Sequence, residues 1–96
     1  MITIEKRNTR IEICGHAGYD LPGKDIVCAA ISVLYQNLYM SIQQLTDDEI
    51  IAQFSSGNSV IVYKENLSER AQVLVDSFFI GCRQIAEQYP AHVRIV

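Results

Sequence analysis

The sequence predicts an α+β domain with element order β-β-α-β-β-α-β, a mainly antiparallel sheet and two helices packed on one face of it. Three observations carry this. Short alternations of apolar and polar residues come in pairs, each pair split by a polar turn. Two longer stretches repeat apolar residues at spacings of three and four, the period of one helix face. Each strand pair is followed by one such stretch, and no linker or repeat divides the 96 residues, so residues 1–96 form a single domain.

The elements follow in order. Ile2 and Ile4 alternate with Thr3 and Glu5, which is strand periodicity. Arg7-Asn8-Thr9-Arg10 breaks it as a hairpin turn, and Ile11 and Ile13 alternate with Glu12 and Cys14 in a second, antiparallel strand. If that strand continues, Cys14 and His16 share the face away from Ile11 and Ile13. A loop punctuated by Gly15, Gly18, Pro22 and Gly23 comes next and is expected to be mobile when empty. Asp25 is a suitable N-cap for a helix running to about Leu45. Val27, Ile31, Leu34, Leu38, Ile42 and Leu45 make its core stripe; Cys28, Ser32, Tyr35 and Tyr39 make a more polar stripe beside it. Glu49 to Phe54 and Ser59 to Tyr63 read as a second hairpin around Ser55-Ser56-Gly57-Asn58. Asn66 or Ser68 caps a second helix, Asn66 with Glu69 having the spacing of a capping box. That helix buries Ala71, Leu74, Val75, Phe78, Cys82, Ile85 and Tyr89, Pro90 stops it, and His92 to Val96 is a short last strand. Two helices cover one side of such a sheet, so the open face or a sheet edge is the expected dimer surface.

Composition narrows the function classes. A formal charge of −3 argues against a broad nucleic-acid surface. No apolar run approaches the roughly 20 residues of a membrane span, and the N-terminus alternates from the start, unlike a signal peptide. A soluble, cytoplasmic protein with no membrane partner is expected. Cys14, Cys28 and Cys82 are an odd number without Cys-x-x-Cys spacing, which argues against a disulfide framework and a zinc finger.

One constellation stands out. His16 ends a strand-like run, and Cys28 falls in the first turn of a helix, with a flexible loop between them. A helix N-terminus carries roughly half a positive elementary charge, which favours thiolate over thiol. A neighbouring imidazole completes the minimum for a cysteine nucleophile. The amides near Ile26 to Cys28 are candidate oxyanion donors. Asp25 is a cap and a candidate orienter of His16 or of a substrate amide, Asp20 a weaker one. Ser32, one turn beyond Cys28, either bonds back to a helix carbonyl or bonds near the thiolate. Cys82 fits the core stripe. Cys14, His16 and Cys28 have zinc-ligand chemistry but no evident fourth ligand, and His92 is a poor one; no metal or cofactor is expected.

The run Gly15-His16-Ala17, the eight loop residues containing Gly18 and Gly23, and Asp25-Ile26-Val27-Cys28-Ala29-Ala30 with Ser32 together resemble the signature of the ribosomal-processing cysteine protease family, Prp. The resemblance implies a small bacterial homodimeric α+β cysteine endopeptidase. It implies a substrate, the N-terminal extension of large ribosomal subunit protein twenty-seven, cut after an aromatic-rich segment during ribosome biogenesis. It gives His16 and Cys28 the catalytic roles and places Asp25 and Ser32 near the site. Gly15, Ala17, Gly18, Gly23 and Tyr35 are the expected substrate contacts. Asp20-Leu21-Pro22-Gly23 departs from the family's common loop, which keeps a phage or prophage homologue with another protein substrate in view. A non-enzymatic, ribosome-associated peptide-binding module is the remaining alternative.

Overall fold

The computed structural model describes residues 1–96. Its elements are β1 (Ile2–Arg7), β2 (Arg10–Cys14), α1 (Ile26–Leu45), β3 (Ile50–Ser55), β4 (Asn58–Tyr63), α2 (Glu69–Gln88) and β5 (Val93–Ile95), in the predicted order. The five strands form one sheet, β3-β4-β2-β1-β5. It is antiparallel except for β1 and β5, which run parallel with Ile2 opposite Val93.

The alternation seen in the sequence becomes the two faces of this sheet. Ile2, Ile4, Ile11, Ile13, Ile61 and Tyr63 are buried on the helix side, while Thr3, Glu12, Val60 and Val62 between them are only half-buried. Register is set at the hairpins. Arg7 pairs with Arg10, which leaves Asn8 and Thr9 as the turn, with Asn8 at φ 50°. That is the left-handed region, and asparagine tolerates it better than most residues. Ser55 pairs with Asn58, so Ser56 and Gly57 form the other turn.

Both helices bury their stripes in the core shared with the sheet. α1 contributes Val27, Ile31, Leu38 and Ile42; α2 contributes Ala71, Val75, Phe78 and Cys82. Leu45 is 56% exposed, so the α1 stripe ends at Ile42. α1 has 20 residues and no charged side chain, and by length and composition it is apolar enough to cross a bilayer. This corrects the expectation that no run approaches that length; its buried stripe is core-facing here. The cap of α2 is Ser68, whose hydroxyl accepts from the Ala71 N–H at 3.2 Å. Asn66 takes φ 61° two residues before the cap, so the Asn66–Glu69 box does not form. Ser68 also donates its N–H to Asp48 at 2.8 Å, which ties the end of α1 to the start of α2. After α2, the Tyr89 cap and Pro90 turn the chain, and the His92 N–H donates to the Tyr89 carbonyl at 2.9 Å. β5 begins directly after His92 and lies against β1.

Candidate active site

The site is built where α1 begins. Asp25 precedes the helix in an extended conformation, and its Oδ1 accepts the N–H groups of Val27 at 3.0 Å and Cys28 at 2.9 Å. This is the capping role predicted for it. Its Oδ2 accepts Tyr19 N–H at 2.9 Å and Asp20 N–H at 3.3 Å, so one carboxylate ties the loop to the helix. Desolvation pushes the Asp25 carboxyl up, but the backbone bonds from Cys28, Asp20, Tyr19 and Val27 outweigh it and hold it below the usual carboxylate range. No hydrogen bond joins Asp25 to His16; its carboxylate is occupied by these four backbone donors. The same bonds narrow the oxyanion assignment: of the three amides at the start of α1, those of Val27 and Cys28 already serve Asp25, and only Ile26 N–H is left without a partner. The backbone donor aimed at the Cys28 sulfur is Ala17 N–H, at 3.3 Å.

His16 reaches the site by a break in strand alternation. β2 ends at Cys14, and Gly15 takes φ +94°, where an added Cβ would strike the Met1 carbonyl. His16 therefore lines a cleft with Ile13 and Cys28, while Cys14 stays on the strand and bonds Asn58 Oδ1 at 3.6 Å. The expectation that Cys14 and His16 share a face is corrected by this glycine turn. No group of three His, Cys, Asp or Glu side chains converges as metal ligands would. The imidazole lies over Gly57 in the β3–β4 turn. A Cβ on Gly57 would stand 2.8 Å from its Nε2. No hydrogen bond joins His16 to Cys28 in this resting arrangement; unliganded sites often tighten such contacts only when substrate binds.

The cleft measures about 200 Å³. Cys28, Ser32 and Tyr35 form its α1 wall, as the polar stripe predicts. Ser32 accepts a long hydrogen bond from the Tyr35 hydroxyl, 3.4 Å, rather than bonding a helix carbonyl or the sulfur. Tyr35 leans on Phe54 with ring centroids 5.2 Å apart, and Tyr39 meets the same Phe54 edge-on at 5.5 Å. The opposite wall is the β3–β4 hairpin, Ser55 to Ser59. In sequence those residues read as turn chemistry alone. A Ser-Gly-Asn turn carries no mark of its tertiary neighbour, so nothing local could have assigned it.

Among the expected substrate contacts, Gly15 and Tyr35 line the cleft. Ala17 is 2% exposed and cannot offer its side chain to a peptide; its backbone is what faces the sulfur. Gly18 and Gly23 are exposed, at φ +67° and +83°, with open space around them and no place in the cleft lining. The loop itself is less free than its glycines suggest. Tyr19 packs edge-on against Tyr89 and His92, and His92 Nδ1 bonds the Ala17 carbonyl at 2.8 Å. Asp20 to Lys24 are all exposed. The other cysteines take bland positions. Cys82 is wholly buried, and burial pushes its thiol up to about 12, the nearby Arg83 lowering it slightly.

Comparison with known proteins identifies the family and the fold. The model of the family described as cysteine protease Prp matches residues 1–94. The *Staphylococcus aureus* ribosomal processing protease Prp, solved with a covalently linked product peptide, superposes with a TM-score of 0.91 at 24% identity, covering 99% of this chain and 97% of that one. The same protease with a substrate peptide gives 0.82 at 22% identity, covering 99% and 95%. SMU.848 from *Streptococcus mutans* gives 0.79 at 32% identity, covering 98% and 89%. No curated protein matches. With a family model spanning nearly the whole chain and a fold shared throughout, the chain belongs to the Prp family of cysteine proteases.

Proposed function

We propose that the protein is an endopeptidase in which Cys28 is the nucleophile and His16 the general base, and that it removes the N-terminal extension of large ribosomal subunit protein twenty-seven during ribosome biogenesis. The observation that carries the site assignment is the shared cleft: two side chains 12 residues apart in sequence line one opening, with Cys28 in the capped first turn of α1. His16 takes the Cys28 thiol proton as sulfur attacks the scissile carbonyl carbon. The carbon–sulfur bond forms and the carbonyl electrons move to oxygen. As the carbon–nitrogen bond breaks, His16 returns the proton to the leaving amine. Water then attacks the thioester, gives a proton to His16, and frees the acid and the thiol.

The ribosomal substrate is supported by the *S. aureus* relative, a ribosomal processing protease that has been captured with substrate and product peptides. The aromatic group of Tyr35, Tyr39 and Phe54 beside the cleft suits an aromatic-rich cleavage segment. The reading includes a cytoplasmic homodimer. α1 turns Ile26, Val33 and Met40 to solvent on a helix without charge, a face compatible with self-association.

The test is mass-spectrometric cleavage of the extended ribosomal protein by wild type, Cys28→Ala and His16→Ala. One cut at the aromatic segment, lost in both variants, is expected. A cut that survives Cys28→Ala refutes the nucleophile. If the substrate stays intact while Cys28 alkylates faster than Cys14 and Cys82, the protease acts on another protein, and the departing loop Asp20-Leu21-Pro22-Gly23 makes a phage protein the next substrate to try.

A further inference from the structure

We propose that His92 is a positioning residue of the active site, holding Ala17 so that its N–H reaches the sulfur of Cys28. This rests on the reading of Cys28 as nucleophile. Ala17 is almost fully buried and is held at both ends: its N–H donates to Cys28 Sγ at 3.3 Å and its carbonyl is bonded by His92 Nδ1 at 2.8 Å. With the Val27 and Cys28 amides committed to Asp25, no hydrogen bond other than that of Ala17 reaches the sulfur. A donor on sulfur favours the thiolate, because the bond strengthens when its acceptor is charged.

His92 is itself rigidly placed. Its N–H donates to the Tyr89 carbonyl and its carbonyl accepts the Ile2 N–H, both at 2.9 Å, so the end of α2 and the start of β1 fix its backbone. Tyr19 packs edge-on against its ring, with centroids 5.4 Å apart. A carbonyl can only accept, so His92 Nδ1 must carry the proton. It does so in the Nδ1–H tautomer and in the imidazolium alike, and the bond to Ala17 survives either state. His92 is thus a brace. It couples the end of α2 and the start of β1 to the loop that lies over the nucleophile.

The first measurement needs no variant. A long-range proton–nitrogen spectrum of the wild-type protein is expected to show His92 in the Nδ1–H tautomer; a neutral His92 protonated at Nε2 overturns the proposal. The second compares two substitutions by the rate at which iodoacetamide alkylates Cys28 at pH 7, read peptide by peptide. His92→Phe keeps a ring against Tyr19 and loses the donor, while His92→Asn loses the ring and keeps an N–H at the same distance from the backbone. Phe is expected to slow alkylation about three- to tenfold, and Asn to stay within about twofold of wild type, part of the worth of one charge-assisted hydrogen bond. Peptide cleavage is expected to fall with alkylation mainly in kcat. Asn as slow as Phe assigns His92 to packing, and Phe as fast as wild type removes it from the site; either result overturns the proposal. If His92→Phe does not fold, the tautomer and the Asn rate decide. A wild-type Cys28 that alkylates no faster than Cys14 refutes the nucleophile instead, which separates the two failures.

Discussion

Replacing Gly57 with alanine separates a turn residue from a residue that makes room for His16, the proposed general base. Gly57 adopts φ +77°, and forcing a side chain into that region costs about 1–2 kcal/mol of stability. The added Cβ would stand 2.8 Å from Nε2 of His16, 3.3 Å from Cε1 and 3.5 Å from Cδ2. For Nε2 to reach the 3.4 Å at which ordinary contact begins, the imidazole must retreat by about 0.6 Å. A misplacement of 1 Å near reacting atoms can cost about a hundredfold in rate, so 0.6 Å corresponds to roughly tenfold or more. The assay is kcat/KM on a peptide spanning the cleavage site, with urea unfolding in parallel. Ile61→Val supplies the control. Ile61 is wholly buried within β4, and losing one methylene there costs about 1 kcal/mol without touching the cleft. Gly57→Ala is expected to lose roughly tenfold in kcat/KM and Ile61→Val to lose almost none at similar stability. Equal activities in the two variants would refute the claim that Gly57 seats His16.

Two further outcomes follow from the perturbed groups. Cys82 is held protonated by burial, with its thiol raised from 9.0 to about 12. A raised value means stability is intact below pH 9 and is lost as the pH climbs towards 12, because only the unfolded chain ionises in that window. Cys82→Ala should therefore flatten the alkaline limb of the stability curve while costing about 1–2 kcal/mol at neutral pH and leaving cleavage intact; a steep alkaline limb in the variant counts against this. Asp25 shows the opposite sign. Its carboxyl lies below the ordinary 3.8 through its backbone bonds, so its contribution is complete above that value and fades as pH falls through the lower, folded one. Thermal melts between pH 5 and pH 2.5 should show wild type losing its advantage over Asp25→Asn on acidification; parallel curves would mean that the charged cap adds nothing.

Much of the fold was legible because it follows from local periodicity. Ile2, Ile4, Ile11 and Ile13 alternate, and a strand with one face covered must bury that set. Asp25 was readable as a cap because an extended residue with a short carboxylate before an apolar stripe satisfies free helix amides. Leu45 was misread because a periodic stripe does not say where its cover ends. Of the two caps offered for α2, Ser68 is the one used and Asn66 is not, because a capping box is a spacing, while the cap is a backbone conformation.

Sequence alone determined the element order, the single core, and the pairing of a histidine with a capped cysteine across a glycine-rich loop. It did so because the elements follow from local periodicity, and the histidine and the cap stand at the two ends of one short loop. Tertiary structure alone decided what surrounds that pair: the β3–β4 hairpin as a wall, Gly57 beneath His16, the Tyr19 and Asp20 amides drawn onto the Asp25 carboxylate, and His92, 75 residues distant from Ala17, on the Ala17 carbonyl. These contacts join segments whose separation no local period encodes. They exist only because sheet order brings β4 beside β2 and returns β5 to β1, so that the strands β1 and β5 meet beside the loop between His16 and Cys28.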